Sequence, residues 1–419
     1  MMGGRGWTEG KPGPARRHLQ DSSKNRELGC MRNEPGHIVF AGGGTGGHLF
    51  PGLAVAEQLQ AILPTARITV ATGNKPFEHV QVAAAGFDHL RLASHPFARS
   101  AAGTWRFVKD NLSGYRRAKR FIRKTDVSLV VGLGGYASVP MAWAAASARI
   151  PLVLLEQNAI PGRVTRWLAP RAALVCTAFD EAGAQLKAGG PIRVTGNPIR
   201  AGFVPKSFDG WPGPEGAPDR REAPERTADR QLLILGGSGG SRTLNEQVPR
   251  ALYKIEEELA GWRIVHQSGP RDWQATTTLY AKFGLDAIVV PFVERIERVL
   301  GRSDLAVCRS GGTTLAELAA AGVPAILMPW PKAAADHQRK NADVFAAAGA
   351  AQIVDAREVS GRLDNAIAEP LVALLRDPAR RQLMSEAMQT LARPNAAWHV
   401  ATMIAKMLET TIGSIVAVG

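Results

Sequence analysis

The sequence predicts an α/β protein: two doubly wound parallel-sheet domains facing each other across a cleft. Three observations predict it. The apolar run Ile38–Ala41 enters a glycine-rich turn (Gly42, Gly43, Gly44, Thr45, Gly46, Gly47) and then a helical stretch. The same opening recurs at Gln231–Gly240, QLLILGGSGG. After each opening, short apolar runs alternate with helix-length segments, the pattern of a parallel sheet covered on both faces. With 419 residues the chain has room for two or three full cores.

Taken in order, residues 1–35 are polar and rich in glycine and both charge signs, and are expected to lack structure. Met31 offers an alternative start that intact mass would settle. Residues 36–202 form the first domain, with strands at Ile38–Ala41, Ile68–Ala71, Ser128–Gly132, Leu152–Leu155 and Leu174–Cys176. Helices lie between them, among them Val55–Ile62, Ser138–Ala146 and Pro161–Leu168. Residues 203–230 are rich in Pro, Gly and charge and read as a linker or exposed loop, with Trp211 packing locally. The second domain, 231–392, has a helix from Thr243 and further strands at Arg263–His266, Ala287–Val290, Leu305–Cys308, Ala325–Met328 and Gln352–Val354. The remainder, 393–419, carries a helix placed to pack back on the first domain.

Composition narrows the partners. A net charge of +14 implies anionic ones, nucleic acid, anionic lipid or phosphorylated substrates, or else serves only solubility. No nucleic-acid module is present. Cys30, Cys176 and Cys308 are far apart, which argues against a zinc site or disulfide scaffold. No apolar run reaches the length of a membrane span.

Chemistry-bearing residues gather at strand ends. Gly42, Gly44 and Gly47 satisfy G-x-G-x-x-G, but no carboxylate closes the second strand to hold a ribose, which disfavours NAD. No Lys-Ser/Thr follows either glycine loop, which excludes a P-loop. His48 lies where the first loop meets its helix and reads as a general base beside a phosphate site, or as a residue packing a helix start. Gly132–Pro140, GLGGYASVP, is a second turn that either supplies amides to an anion, with Tyr136 near the cleft, or is merely tight. Glu156, Gln157 and Asn158 follow a strand on the same face. Arg200, in Gly196–Arg200, suits a phosphate unless it is simply solvated. In the second domain Arg309–Glu317, RSGGTTLAE, opens a helix. Glu317 there either accepts ribose hydroxyls or completes a capping box with Thr313 or Thr314. Asp336, His337 and Gln338, through Asn341, face the same cleft. The chain holds no Asp-x-Asp triplet for a diphosphate-bound metal.

GGGTGGHLFPG, GLGGYASVP, LEQNAIPG, TGNPIR, LGGSGGSR, VCRSGGTTLAE and ADHQRKNA occur in this order. Together they resemble the MurG family, peptidoglycan N-acetylglucosaminyltransferases acting on lipid I, undecaprenyl-pyrophosphoryl-N-acetylmuramoyl-pentapeptide. The resemblance spans roughly Pro35–Leu408. It implies a GT-B architecture, UDP-N-acetylglucosamine as donor, inversion at the sugar carbon, and no metal or other cofactor. It implies Thr45, Gly46 and Gly47 in the first substrate loop. Asn158, Arg200, Ser238, Val293, Gly312, Thr313, Thr314, Leu315, Glu317, His337 and Gln338 fall at substrate-binding positions. Uracil is read by main chain near Val293, and Glu317 holds the ribose. Two departures stand out: Gly239 replaces a glutamine in the second glycine loop, and Gly312-Thr313-Thr314 stands where Ala-Leu-Thr is usual.

The expected reaction is transfer of N-acetylglucosamine to the 4-hydroxyl of the muramoyl sugar, giving lipid II and UDP. His48 is the expected base, Glu156 the substitute, and Tyr136 orients the acceptor. The stretch Arg99–Lys124 mixes Trp105, Phe107, Val108 and Leu112 with many Lys and Arg and one acid, Asp110. It suits peripheral contact with an anionic membrane, at the cytoplasmic face of the bacterial plasma membrane, or it is an ordinary surface helix with its apolar face in the core. The rival readings are a GT-B transferase with another lipid acceptor and a non-catalytic sugar-nucleotide-binding protein.

Overall fold

The computed structural model describes residues 36–97, 100–203 and 230–416, with side chains through 410. The expectations for residues 1–35, for the linker after Phe203 and for Trp211 lie outside these residues.

Among the described residues the first sheet comprises β1 (His37–Ala41), β2 (Arg67–Thr72), β3 (Asp88–Arg91), β4 (Val127–Gly132), β5 (Leu152–Glu156), β6 (Leu174–Thr177) and β7 (Ile192–Val194). Its order is β3-β2-β1-β4-β5-β6-β7, all parallel. The second sheet comprises β8 (Arg230–Leu235), β9 (Trp262–Gln267), β10 (Ala287–Val290), β11 (Leu305–Cys308), β12 (Ala325–Leu327) and β13 (Ala351–Ile353). Its order is β10-β9-β8-β11-β12-β13, again all parallel. Strand order reverses between β1 and β4 and between β8 and β11. Ligand crevices open at such switch points, beyond the carboxyl ends of the strands.

Two strands escaped the sequence reading. β3 and β7 are short, lie at or next to a sheet edge and carry exposed polar residues, so neither makes an apolar run. The first helix, α1, runs Gly46–Ile62, not from Val55. Glycine weakens a helix and hides its start from any propensity count, but Thr45 is extended and caps it. His48 therefore stands in the first turn of α1.

The remaining helices of the first half are α2 (Pro76–Ala84), α3 (Ala101–Thr125), α4 (Val139–Ser147), α5 (Arg163–Leu168) and α6 (Asp180–Ala184). Those of the second are α7 (Arg242–Tyr253), α8 (Trp273–Lys282), α9 (Ile296–Leu300), α10 (Gly312–Ala321), α11 (His337–Ala347), α12 (Leu363–Arg376) and α13 (Pro378–Thr390). Each sheet has a core on both faces. The last helix, α14 (Ala396–Val416), follows α13 but joins the core of the first sheet beside α1, through Ala397, Val400, Ala401, Ile404, Ala405 and Leu408. Burying Val400, Ile404 and Leu408 contributes on the order of 5 kcal/mol, enough to tie the end of the chain to its first half.

Candidate active site

The first glycine loop leaves β1 and enters α1. Thr45 Oγ1 lies 3.0 Å from His48 Nδ1 and sets the ring's orientation. The turn after β4 closes on the other side. A methyl group placed on Gly134 would be 3.2 Å from the ring's Cδ2, and one on Gly135 3.5 Å from its Nδ1. Both residues have positive φ, which leaves glycine as the residue that fits. His48 keeps some contact with solvent, yet the atoms packed around it desolvate the cation and lower its pKa to about 4, with His337 acting in the same direction. His48 is thus neutral at pH 7. Tyr136 lies against Gly44, and burial together with Glu78 pushes its phenol pKa up.

Glu156, the substitute base, is otherwise engaged. It is 5% exposed. One oxygen accepts from the amide of Asn158 (3.2 Å) and from its side chain (3.3 Å); the other accepts from the amide of Gly162 (2.9 Å) and the hydroxyl of Thr165 (2.6 Å). These four donors fold the loop into α5 and occupy both carboxylate oxygens.

In the second half, α10 opens after β11 with Gly311 as its cap. The amides of Gly312, Thr313 and Thr314 have no intrahelical acceptor, and no acid stands in the first turn, so this end attracts an anion. The early cap also removes the capping-box reading, because Glu317 lies in the second turn rather than at the third position. Glu317 is 6% exposed, and its Oε1 is buried with no hydrogen-bond partner. Arg200 Nε is 3.8 Å away, too far for a hydrogen bond, and is itself unpartnered. The Arg200 guanidinium stacks 3.9 Å from the centre of Phe50, from α1. Burial raises the Glu317 pKa to about 7, Arg200 opposing and Glu297 adding. An orphaned buried acceptor beside free helix-end amides fits a hydroxylated, phosphorylated ligand.

The other expected residues divide by what they expose. Ser238 Oγ accepts from the Gly46 amide at 3.4 Å, which joins the two glycine loops. A side chain at Gly239 would meet nothing within 4 Å, so the missing glutamine leaves open space. Val293 packs half-buried on the second core. Leu315 is fully buried there, and its amide is bonded to Gly311 O at 3.0 Å, so it has no group to give a ligand. Gln338 Oε1 accepts from the Trp330 amide at 2.9 Å, and His337 Nδ1 lies 2.8 Å from Ala334 O.

Several contacts cross between the halves. Pro51 has no N–H to offer Gly47 O, four residues earlier in α1. The Thr313 hydroxyl supplies the bond from the opposite half at 2.9 Å and accepts from Asn197 Nδ2 at 3.1 Å. A methyl group on Gly312 would stand 1.9 Å from Gln157 O, so the two halves approach this closely because residue 312 is glycine. Fully buried Asn341 accepts from the Ala159 amide (2.8 Å) and donates to Asn158 Oδ1 (3.1 Å) and Ser310 O (3.0 Å).

Sequence reasoning missed two groups. Arg309, half-buried behind the second glycine loop, donates to Ser241 Oγ (3.0 Å) and to the carbonyls of Met328 and Pro329. Burial lowers its pKa only to about 10, so it adds a fixed positive charge there. Glu78, in the first turn of α2, is 1% exposed and accepts from the Gly44 amide, while Lys75 Nζ donates to Gly44 O. Neither acid nor lysine stands at a motif spacing, so no sequence signal marked them. Cys176 and Cys308 are buried, which raises both thiols to about 12 and makes them core residues. Among the described residues no group of three His, Cys, Asp or Glu is placed to hold a metal ion.

Outside the cleft, α3 docks by a narrow stripe: Gly103, Gly114, Ala118 and Ile122. Its other face is open. Trp105 is 62% exposed, Val108 54% and Leu112 42%. Phe107 is half-buried, edge-on to Phe97 at 5.6 Å, and Lys109 Nζ lies 4.7 Å over Trp105. No helix among the described residues is long and apolar enough to cross a membrane.

Comparison with known proteins decides the family. Residues 38–177 match the glycosyltransferase family 28 N-terminal domain and residues 231–399 its C-terminal domain. A Geobacter sulfurreducens protein named UDP-N-acetylglucosamine--N-acetylmuramyl-(pentapeptide) pyrophosphoryl-undecaprenol N-acetylglucosamine transferase is 34% identical over 362 residues, 86% of this chain and 95% of that protein. A Methylococcus capsulatus protein of the same name is 38% identical over 375 residues, 87% and 96%. The crystal structure of Acinetobacter baumannii MurG aligns with TM-score 0.66 and 30% identity, over 89% of this chain and 100% of that one. The chain belongs to the MurG family. Its two parallel sheets, with their carboxyl ends turned toward each other, are the GT-B architecture of that family.

Proposed function

We propose that the chain transfers N-acetylglucosamine from UDP-N-acetylglucosamine to the 4-hydroxyl of the muramoyl sugar in a polyprenyl-pyrophosphoryl-muramoyl-pentapeptide, with inversion, releasing UDP and forming lipid II. The observation that carries this is the match through both halves to relatives named for that transfer.

The geometry supports a division of labour. The donor diphosphate sits at the N-terminus of α10 and the second glycine loop, in the field of Arg309 and Arg200, with uracil against the main chain at Val293. Glu317 Oε1 accepts the ribose hydroxyls, which gives this buried oxygen its missing partners. Thr45, Gly46, Gly47, Asn158, Gly312, Thr313, Thr314 and Gln338 line the space between, with His337 at its rim. The neutral imidazole of His48, its Nδ1 side held by Thr45, takes the acceptor proton as the sugar carbon passes through an oxocarbenium-like state. Tyr136, protonated because burial and Glu78 disfavour its anion, donates to the acceptor. Helix-end amides and fixed cations stabilise the departing diphosphate.

The exposed face of α3 carries Trp105, Val108 and Leu112 among basic residues and meets an anionic membrane surface, where a polyprenyl acceptor resides. On this reading the chain works as a peripheral protein at the cytoplasmic face of the plasma membrane.

The test is UDP release from UDP-N-acetylglucosamine with a panel of acceptors and a chelator present. Release that requires the muramoyl-pentapeptide lipid and survives chelation is expected. Release with diacylglycerol instead would assign another lipid acceptor; tight UDP binding without turnover would make the chain a binding protein.

A further inference from the structure

We infer that Glu78 and Lys75 are positioning residues that clamp the first glycine loop and so hold the general base in place. Gly44 is gripped at both polar atoms of its main chain: its amide donates to Glu78 Oε1, and its carbonyl accepts from Lys75 Nζ. The second carboxylate oxygen accepts from the Lys75 amide at 3.3 Å, which fixes the approach of α2 itself. The loop needs such a grip. Gly43 and Gly44 have φ of 146° and 87°, and glycines in that region have many alternatives to lose.

The clamped residue adjoins the chemistry. Gly44 touches Tyr136, and a methyl group on it would lie 3.2 Å from that ring. The next residue, Thr45, caps α1 and holds His48. A shift at Gly44 therefore moves Tyr136, Thr45 and His48 together, and a misplacement of about 1 Å at a reacting group can cost about 100-fold in rate.

Glu78 also accounts for what this loop does not do. In dinucleotide-binding folds an acid beneath the glycine loop receives a ribose. Here a carboxylate does reach that region, from α2 rather than from the end of β2. A methyl group on Gly73 would lie 3.3 Å from Glu78 Oε2, and one on Gly43 2.5 Å from Oε1. The carboxylate is buried and bound to the amides of Gly44 and Lys75, so it offers nothing to a ribose. The amides left for an acceptor anion lie further on, where α1 begins.

The catalytic part of this inference rests on the proposed transfer; the structural part does not. The experiment uses the full chain with Glu78→Ala, Glu78→Gln and Lys75→Met, read three ways. Hydrogen exchange in segment 42–48 should accelerate about tenfold or more in Glu78→Ala while segment 236–241 stays as in the parent. UDP affinity, to which neither Glu78 nor Lys75 contributes a contact, should stay within about twofold. Acceptor-dependent kcat should fall about 30- to 100-fold in Glu78→Ala and less in Glu78→Gln, whose remaining oxygen still accepts from Gly44. Unchanged exchange in 42–48 would overturn the clamp. Exchange accelerating in both loops with loss of UDP affinity would also overturn it, as a general folding role. If the parent turns over no acceptor, the proposed transfer fails, and the exchange and UDP readings still decide whether the clamp exists.

Discussion

Desolvation disfavours the charged forms of both His48 and Glu317: at pH 7 His48 is neutral, and Glu317 is about half ionised. For His48 this suits a base. His48→Ala should lower kcat by about 100-fold or more with UDP affinity intact. Steady-state kinetics paired with UDP titration checks this, and a parental kcat would remove His48 from the chemistry. Glu317 at about 7 is poised differently. Ribose hydroxyls favour its charged form, so it should strengthen UDP binding as pH rises through 7. Glu317→Gln should weaken UDP binding roughly tenfold to a hundredfold and abolish most of the preference for UDP over its 2′-deoxy analogue, as measured by calorimetry.

The same shifts set the pH dependence of folding. His48 (6.5 to about 4) and His266 (6.5 to about 3) bind fewer protons folded than unfolded between pH 4.5 and 6.5, so each makes stability rise with pH there. Glu317 (4.5 to about 7) binds more protons folded in that window and opposes them. Denaturation midpoints should therefore rise from pH 4.5 to 6.5, and more steeply in Glu317→Gln. A flat or falling profile would contradict these assignments. The placement of His48 and Glu317 was legible in the sequence because each follows a strand into a glycine-marked turn. That Glu156 serves its own loop was not legible, because its partners, Gly162 and Thr165, are set by how the chain turns after β5.

At the scale of elements, α3 is the one whose role the sequence left divided. Its apolar residues could have faced the core. Small residues answer the question: Gly114 brings the helix so close that a methyl group there would stand 2.1 Å from Ala93 O, and a narrow stripe suffices for docking. Trp105, Val108 and Leu112 are left outside. Trp105→Ser with Leu112→Ser should reduce cosedimentation with anionic vesicles by about tenfold or more while leaving the melting temperature nearly unchanged. Raised salt should weaken the parent's binding as well. Equal binding by the double variant would place the membrane contact elsewhere. The start of α1 was misread for a related reason. Propensity counts penalise Gly46 and Gly47, whereas Thr45 and the docking of α1 on the sheet determine where it begins.

For the whole molecule, both sheets are legible in the alternation of strand and helix, since buried parallel strands mark themselves as apolar runs. That the halves face each other across a cleft was readable too, but which residues join them was not, because that depends on pairs more than a hundred residues apart. Thr313 is the clearest case. It departs from the family pattern, yet its hydroxyl completes a carbonyl that Pro51 leaves unpaired and accepts from Asn197. Thr313→Val keeps the shape and removes both bonds, at a cost of about 1–3 kcal/mol from unpaired buried groups. Small-angle scattering should find that variant more expanded without ligand, and Thr313→Ser near the parent. Identical profiles for Val and parent would mean that these bonds do not hold the halves together.

The proposed transfer is tested on its own product. Full-length protein is incubated with UDP-N-acetylglucosamine and a short-chain polyprenyl-pyrophosphoryl-muramoyl-pentapeptide, and the lipid product is examined by mass spectrometry and NMR. The expected product carries one added N-acetylglucosamine, joined to O4 of the muramoyl sugar with inverted configuration. A retained configuration, attachment elsewhere, or UDP release with no glycosylated lipid would contradict the transfer.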